Sequence, residues 1–169
     1  MIRDLARKFS AFDRFVDNVI IELTFRRGTF EAGAEIVKVH SSMTLLRASS
    51  ADAQILLKLI RPRHSVTAAV GCRIQSAEKT WRVFTASEIL NFVESVGDKN
   101  EIHRLNPPIV PALLILETLL ADKKFSSCDG LKLKFKNFVT ADEPLSLVGE
   151  KTFELTSAGV RKVSGEILS

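Results

Sequence analysis

The sequence predicts an α+β fold in which a sheet curls around one long helix that is apolar nearly all round. Three observations carry this expectation. Short β-rich runs recur along most of the chain. One helical stretch, from Ile109 to about Asp122, has so little polar surface that other elements must wrap it. Leu131-Lys132-Leu133-Lys134-Phe135-Lys136 alternates strictly, which turns the leucines and Phe135 to a core and three lysines to solvent.

The elements follow in order. The opening dozen residues form a short amphipathic helix. Val19 to Phe25 is a strand that stops at Arg26-Arg27-Gly28, and Glu35 to Leu46 is a second, with Ile36, Val37, Val39, Met43 and Leu45 in rough alternation. Ile55 to Ile60 and Val66 to Ile74 are strands separated by Arg61-Pro62-Arg63. Thr85-Ala86-Ser87-Glu88 has the pattern of a capping box. Ile89, Leu90, Phe92, Val93 and Val96 then fall at helical spacing, and Gly97 ends the helix. A loop, Asp98 to Asn106, leads through Pro107-Pro108 to the apolar helix with Leu113, Leu114, Ile115, Leu116, Leu119 and Leu120. Residues 145–148, 152–155 and 161–168 return to strands. No internal repeat stands out.

At 169 residues, 46% apolar and 26% charged, the chain is long enough for one sizeable core. It divides into a strand-rich part, 1–80, and a part with the helices and the chemistry, 81–169. A net charge of +4 is mild, and the positive residues are spread rather than clustered among aromatics, which argues against nucleic acid. An acidic carrier protein or a phosphate-bearing cofactor arm suits that charge equally well. The longest apolar run is well short of the roughly 20 residues of a membrane span and contains Glu117. The first residues lack the apolar core of a signal peptide, so the cytoplasm is the expected location. Cys72 and Cys128 sit in no CxxC or zinc spacing and read as small buried hydrophobes. His40 and His64 have no partner at an informative spacing.

The chemistry gathers at His103. Upstream lies Gly97-Asp98-Lys99-Asn100-Glu101-Ile102-His103; downstream lie Pro108 to Leu116 and then Glu117. One imidazole and two candidate carboxylates thus surround a helix start. Alone, His103 would read as a satisfied structural histidine, and Asp98 as a cap on the loop after Gly97. Together they match the needs of reversible hydration of an enoyl thioester: one group to take a proton and one to deliver it near neutral pH. A donor for the thioester carbonyl is available in the first free amides of the helix, with Pro111 in its first turn and the Ala112 or Leu113 amide facing the oxygen. No metal and no organic cofactor is needed.

These residues also carry a resemblance. Phe84 to His103, FTASEILNFVESVGDKNEIH, resembles the MaoC-like (R)-specific enoyl-CoA hydratases with their G-D-x-N-P-x-H motif. That resemblance implies Asp98 and His103 as the catalytic pair, with Asn100 supporting the loop. His103 to Glu117 is similar instead to the β-hydroxyacyl-carrier-protein dehydratases, H-x4-P-x-x-P-G-x-L-x-x-E, and implies His103 with Glu117. Leu133 to Val148 resembles a strand pair found in both families. Both share the hotdog fold, an antiparallel sheet wrapped around a central helix. The resemblance covers about the last 85 residues and departs from pattern in places: Glu101 stands for the proline after Asn100, and Ala112 for the glycine that opens the helix. Residues 1–80 match neither family and are a degenerate hotdog half or an extension.

The resemblance implies a hydratase or dehydratase of (3R)-hydroxyacyl or trans-2-enoyl thioesters of coenzyme A or acyl carrier protein. It also implies a homodimer, with an acyl tunnel lined by Leu113, Leu116 and Leu120. A hotdog thioesterase is a second enzyme reading, and a non-catalytic acyl-binding or scaffold protein the alternative from another class.

Overall fold

The computed structural model of the chain describes residues 1–62 and 79–169; the predicted strand 66–74, His64 and Cys72 lie outside them. The apolar helix begins later than its periodicity predicts. Ile109 and Val110 are extended, with the Val110 N–H donating to the Val139 carbonyl at 2.8 Å and Ile109 bridging Thr140. The Pro111 carbonyl then accepts the Leu114 and Ile115 amides and caps the helix. This helix spans Ala112–Ala121. At ten residues it is about 15 Å long, shorter than expected. Leu113, Leu114, Ile115, Leu116, Leu119 and Leu120 are nevertheless all buried, each worth roughly 1.5–3 kcal/mol once removed from water.

Two further helices contribute to that burial. The first, α1, spans Ile2–Phe9 and the second, α2, Ala86–Val96, so the apolar helix is α3. Thr85 and Glu88 close the predicted capping box, and Gly97 ends α2 in the left-handed region at φ 69°. On α1, Arg3 reaches Glu117 on α3 at 3.0 Å and the Ser95 hydroxyl on α2 at 3.3 Å; Arg7 donates to the Ser95 carbonyl at 2.9 Å. α1 is thereby fastened to both neighbours.

The strands are β1 (Val19–Arg27), β2 (Gly33–His40), β3 (Met43–Ser49), β4 (Ala53–Ile60), β5 (Thr80–Arg82), β6 (Gly130–Phe135), β7 (Leu145–Gly149), β8 (Thr152–Ser157) and β9 (Val160–Leu168). Among the described residues they form one antiparallel sheet in the order β2-β3-β4-β1-β6-β9-β8-β7-β5. The strand predicted over 35–46 is a hairpin, β2 and β3, turning at Ser41-Ser42. β4 alternates cleanly, burying Ala53, Ile55, Leu57 and Leu59. On β6, Leu131 and Leu133 are buried; Lys132 faces away from the core, 3.4 Å from Glu22, with Lys134 exposed, as predicted.

Apart from β5, which flanks β7 at one edge, the strand order read inward from either side is the same. One run is α1 followed by β1 to β4, the other α3 followed by β6 to β9; in each the first strand lies innermost and the second outermost. β1 and β6 pair antiparallel at the centre, Leu23 opposite Leu133. The chain thus holds a topological repeat that leaves no trace as repeated sequence. No helix among the described residues is long and apolar enough to cross a membrane.

Gly165 faces Phe153 across the β8–β9 pair, and a methyl group there would lie 2.1 Å from the ring. That ring cannot swing aside, because it is buried against Phe125 with centroids 4.7 Å apart. Gly165→Ala is expected to lower stability by about 1–3 kcal/mol in urea unfolding, the range for overpacking a core.

Candidate active site

The site starts where α2 ends. With Gly97 turned back, the Asp98 N–H donates to the Val93 carbonyl at 3.0 Å and the chain enters a 3-10 turn, Glu101–Arg104. Asp98 Oδ1 accepts the Asn100 N–H at 2.9 Å, so one carboxylate oxygen shapes the loop and the other is free for something else. Buried Asn100 accepts from the Ile102 N–H and donates its amide to the Asn18 carbonyl at 3.1 Å. The Arg104 guanidinium donates to the Asp98 carbonyl at 2.9 Å. The loop is held from inside by Asn100 and from outside by Arg104.

This geometry delivers His103 inward. Its side chain is only 9% exposed. Nδ1 lies 2.7 Å from the Ile109 carbonyl, an acceptor only, so Nδ1 carries the proton and Nε2 keeps its lone pair. Nε2 is 3.5 Å from Asp98 Oδ2. Burial pushes the imidazole below its usual pKa, while the Asp98 charge and the Ile109 carbonyl pull it part of the way back. The ring is therefore neutral near pH 7, a base with a carboxylate beside it.

Asp98, Asn100 and His103 border a cavity of about 400 Å³. Ala112 and Leu113 open α3 at its wall. The other walls are apolar and come largely from residues 1–62: Ala6, Phe9, Phe12 and Phe15, with Leu46, Leu57 and Leu59 from the inner face of the sheet. Its exposed lining residues, among them Asp13, Lys99, Lys136 and Asn137, mark where it opens. Lys99 and Asp13 form an ion pair of 2.9 Å there.

Of the residues singled out from sequence, Asp98, Asn100, His103, Ala112 and Leu113 come together around this cavity. Pro111 acts one step back, as the cap of α3. Glu117 is not brought to His103: its carboxylate is engaged by Arg3 in a bifurcated pair at 3.0–3.3 Å. The reason is angular, since Glu117 projects toward α1 while Ala112 and Leu113 face the cavity. Leu116 is fully buried in the core, and neither it nor Leu120 lines the cavity. Lys136, just past β6, is exposed as predicted and also borders the cavity where it opens. Sequence reasoning missed the walls from residues 1–62. The signal for one of them was the spacing Phe9, Phe12, Phe15, an apolar stripe repeating every three residues.

No protein-family model matches the chain, and no curated protein matches it. Solved structures do. HtdX from Mycobacterium tuberculosis aligns over 98% of this chain and 86% of its own, with a TM-score of 0.63 at 13% identity. An acyl-ACP thioesterase from Bacteroides thetaiotaomicron aligns over 89% and 75%, with a TM-score of 0.52 at 11% identity. A MaoC-like dehydratase from Phytophthora capsici aligns over 92% and 70%, with a TM-score of 0.51 at 10% identity. The chain has the hotdog fold.

His103 is expected to titrate below the ordinary value of about 6.5, followed by its ring-proton NMR signals against pH. Asp98→Asn removes the charge that opposes burial and is expected to lower it further; a rise would contradict the arrangement. Because the folded value is the lower one, the unfolded chain takes up its proton first, and stability declines as pH falls from about 6.5.

Proposed function

We propose that the chain is a hydratase or dehydratase of 2-enoyl and (3R)-3-hydroxyacyl thioesters, with Asp98 and His103 as its acid–base pair. The observation that carries this reading is His103 Nε2, unprotonated and 3.5 Å from Asp98 Oδ2 at the wall of an apolar cavity. A water held by these two groups would lose a proton to Nε2 as its oxygen bonds to C3 of the enoyl group. The imidazolium formed, steadied by Asp98, holds the proton that C2 then requires, so the pair returns within one turnover what it took. Charge that builds on the thioester oxygen meets the Ala112 and Leu113 amides, which open α3 with no intrahelical acceptor. Ala112 in place of glycine leaves its amide available.

The acyl chain would lie along Phe9, Phe12, Leu57 and Leu59, in the walls from residues 1–62. On this reading residues 1–80 are a hotdog half whose role is to house that chain, and the two-unit arrangement expected of a homodimer is met within one chain. Lys99 and Lys136 stand where the cavity opens, which suits the anionic carriers of such thioesters, coenzyme A and acyl carrier protein.

Hydration of crotonyl-CoA and longer enoyl-CoAs, followed by loss of the enoyl-thioester absorbance, tests the reading. His103→Ala and Asp98→Asn are each expected to lose about 10²-fold or more in kcat, while Glu117→Gln stays close to wild type. Release of free thiol without hydration would replace the reading by a thioesterase. Tight acyl-thioester binding without turnover would make the chain a binding protein.

A further inference from the structure

The segment between β6 and β7 governs more than the connection of two strands. Its residues Val139–Ala141 run antiparallel to Pro108–Val110, with Thr140 opposite Ile109. Two hydrogen bonds flank that pair: Val110 N–H to the Val139 carbonyl at 2.8 Å, and Ala141 N–H to the Pro108 carbonyl at 2.9 Å. In a trans peptide the N–H and C=O point in opposite directions. Holding the Val110 N–H toward Val139 therefore turns the Ile109 carbonyl away from this strap. There it accepts His103 Nδ1–H at 2.7 Å. The peptide plane that joins Ile109 to Val110 thus sets which ring nitrogen bears the proton.

The strap is itself pinned. The Glu143 carboxylate accepts the Thr140 N–H at 2.9 Å and the Thr140 hydroxyl at 3.3 Å. Its other oxygen lies 2.6 Å from Lys162 Nζ on β9, and both side chains are only 15% exposed. The same ammonium donates to the Phe138 carbonyl at 2.9 Å. Neither Glu143 nor Lys162 lines the cavity, and the proton chemistry proposed for Asp98 and His103 leaves both unused.

We propose that the largely buried Glu143–Lys162 ion pair is a positioning element for His103. It fixes residues 138–140 so that the Ile109 carbonyl keeps the proton on Nδ1 and leaves Nε2 as the base. Removing either charge leaves the other buried without its counter-charge, which the strap relieves by moving. The Ile109 peptide then turns with it, and the His103 ring is free to exchange tautomers.

The test is ring-nitrogen NMR of the ¹⁵N-labelled full chain, with His103→Gln to assign the signals. In the wild type His103 is expected in the Nδ1–H form at pH 8. In Glu143→Gln, which keeps an acceptor for Thr140, and in Lys162→Met, the two nitrogen shifts move toward each other as the Nε2–H form becomes populated. Lys162→Arg, which retains the charge, stays nearer the wild type than Lys162→Met. The kinetic arm rests on the hydration chemistry proposed above: kcat falls roughly tenfold with KM unchanged, within the ~10²–10⁴ that a positioned acid–base group contributes. A folded Glu143→Gln or Lys162→Met protein whose His103 nitrogens keep their wild-type shifts overturns the proposal, whatever its stability. Absence of turnover in the wild type would instead sink the hydratase reading and leave the nitrogen shifts to decide this one.

Discussion

A ten-residue helix with almost no polar surface imposes the constraint from which the rest of this molecule follows. α3 cannot rest on a surface, because apart from Glu117 and Thr118 its residues are apolar. The inner face of the sheet, α1 and α2 together close around it. The fastening of α1 is polar and lies outside: Arg3 and Arg7 grip Ser95 and Glu117 around a contact whose inner side is Leu5 and Ala6. Such exposed pairs contribute little energy on their own. What they provide is orientation, since α1 can pack in one register only if both guanidiniums reach their partners.

The wrapping is incomplete at one end, and the candidate site lies in that gap. Where α3 begins, Pro111 and the extended Ile109-Val110 keep the chain away from the helix axis. Ala112 and Leu113, the first residues of α3, line the same cavity as His103. A buried imidazole loses the solvation that would support its charged form. Its neutrality here is therefore a result of place rather than of any special neighbour, and Asp98 tempers that effect instead of causing it. Base strength at this position is a balance between an apolar wall and one carboxylate.

Much of this was legible in the sequence, and what was not has physical causes. The capping box of α2, the alternation of β6 and the apolar helix are local patterns, and local patterns survive folding because nothing in the tertiary structure opposed them. Asp98, Asn100 and His103 lie within six residues, so their association is a property of one turn. Glu117 failed for the converse reason. Its spacing from His103 fits a motif, but the direction in which it leaves α3 depends on a helix 114 residues away in sequence that supplies Arg3. The hairpin at Ser41-Ser42 was hidden because apolar residues recur on both sides of the turn, although Val37 and Val39 are exposed and β3 buries Thr44 and Leu46. The topological repeat was invisible because strand order is a relation between segments and constrains only which faces are apolar.

That repeat divides the labour of the cavity. The groups proposed for the proton and carbonyl chemistry, Asp98, His103 and the first amides of α3, belong to residues 81–169. Residues 1–62 contribute hydrocarbon almost throughout: Phe9 and Phe12 from the end of α1 and the turn after it, Leu57 and Leu59 from β4, Leu46 from β3. The exceptions are polar: Ser10, whose hydroxyl donates to the Arg7 carbonyl, the Asn18 carbonyl that holds Asn100, and the Asp13 carboxylate on Lys99. The central β1–β6 pairing joins the two runs in one sheet, and the apolar walls that keep water from His103 come from both of them. The depth of the cavity and the basicity of His103 therefore depend on the same walls, and a change in them is felt at the imidazole through its desolvation.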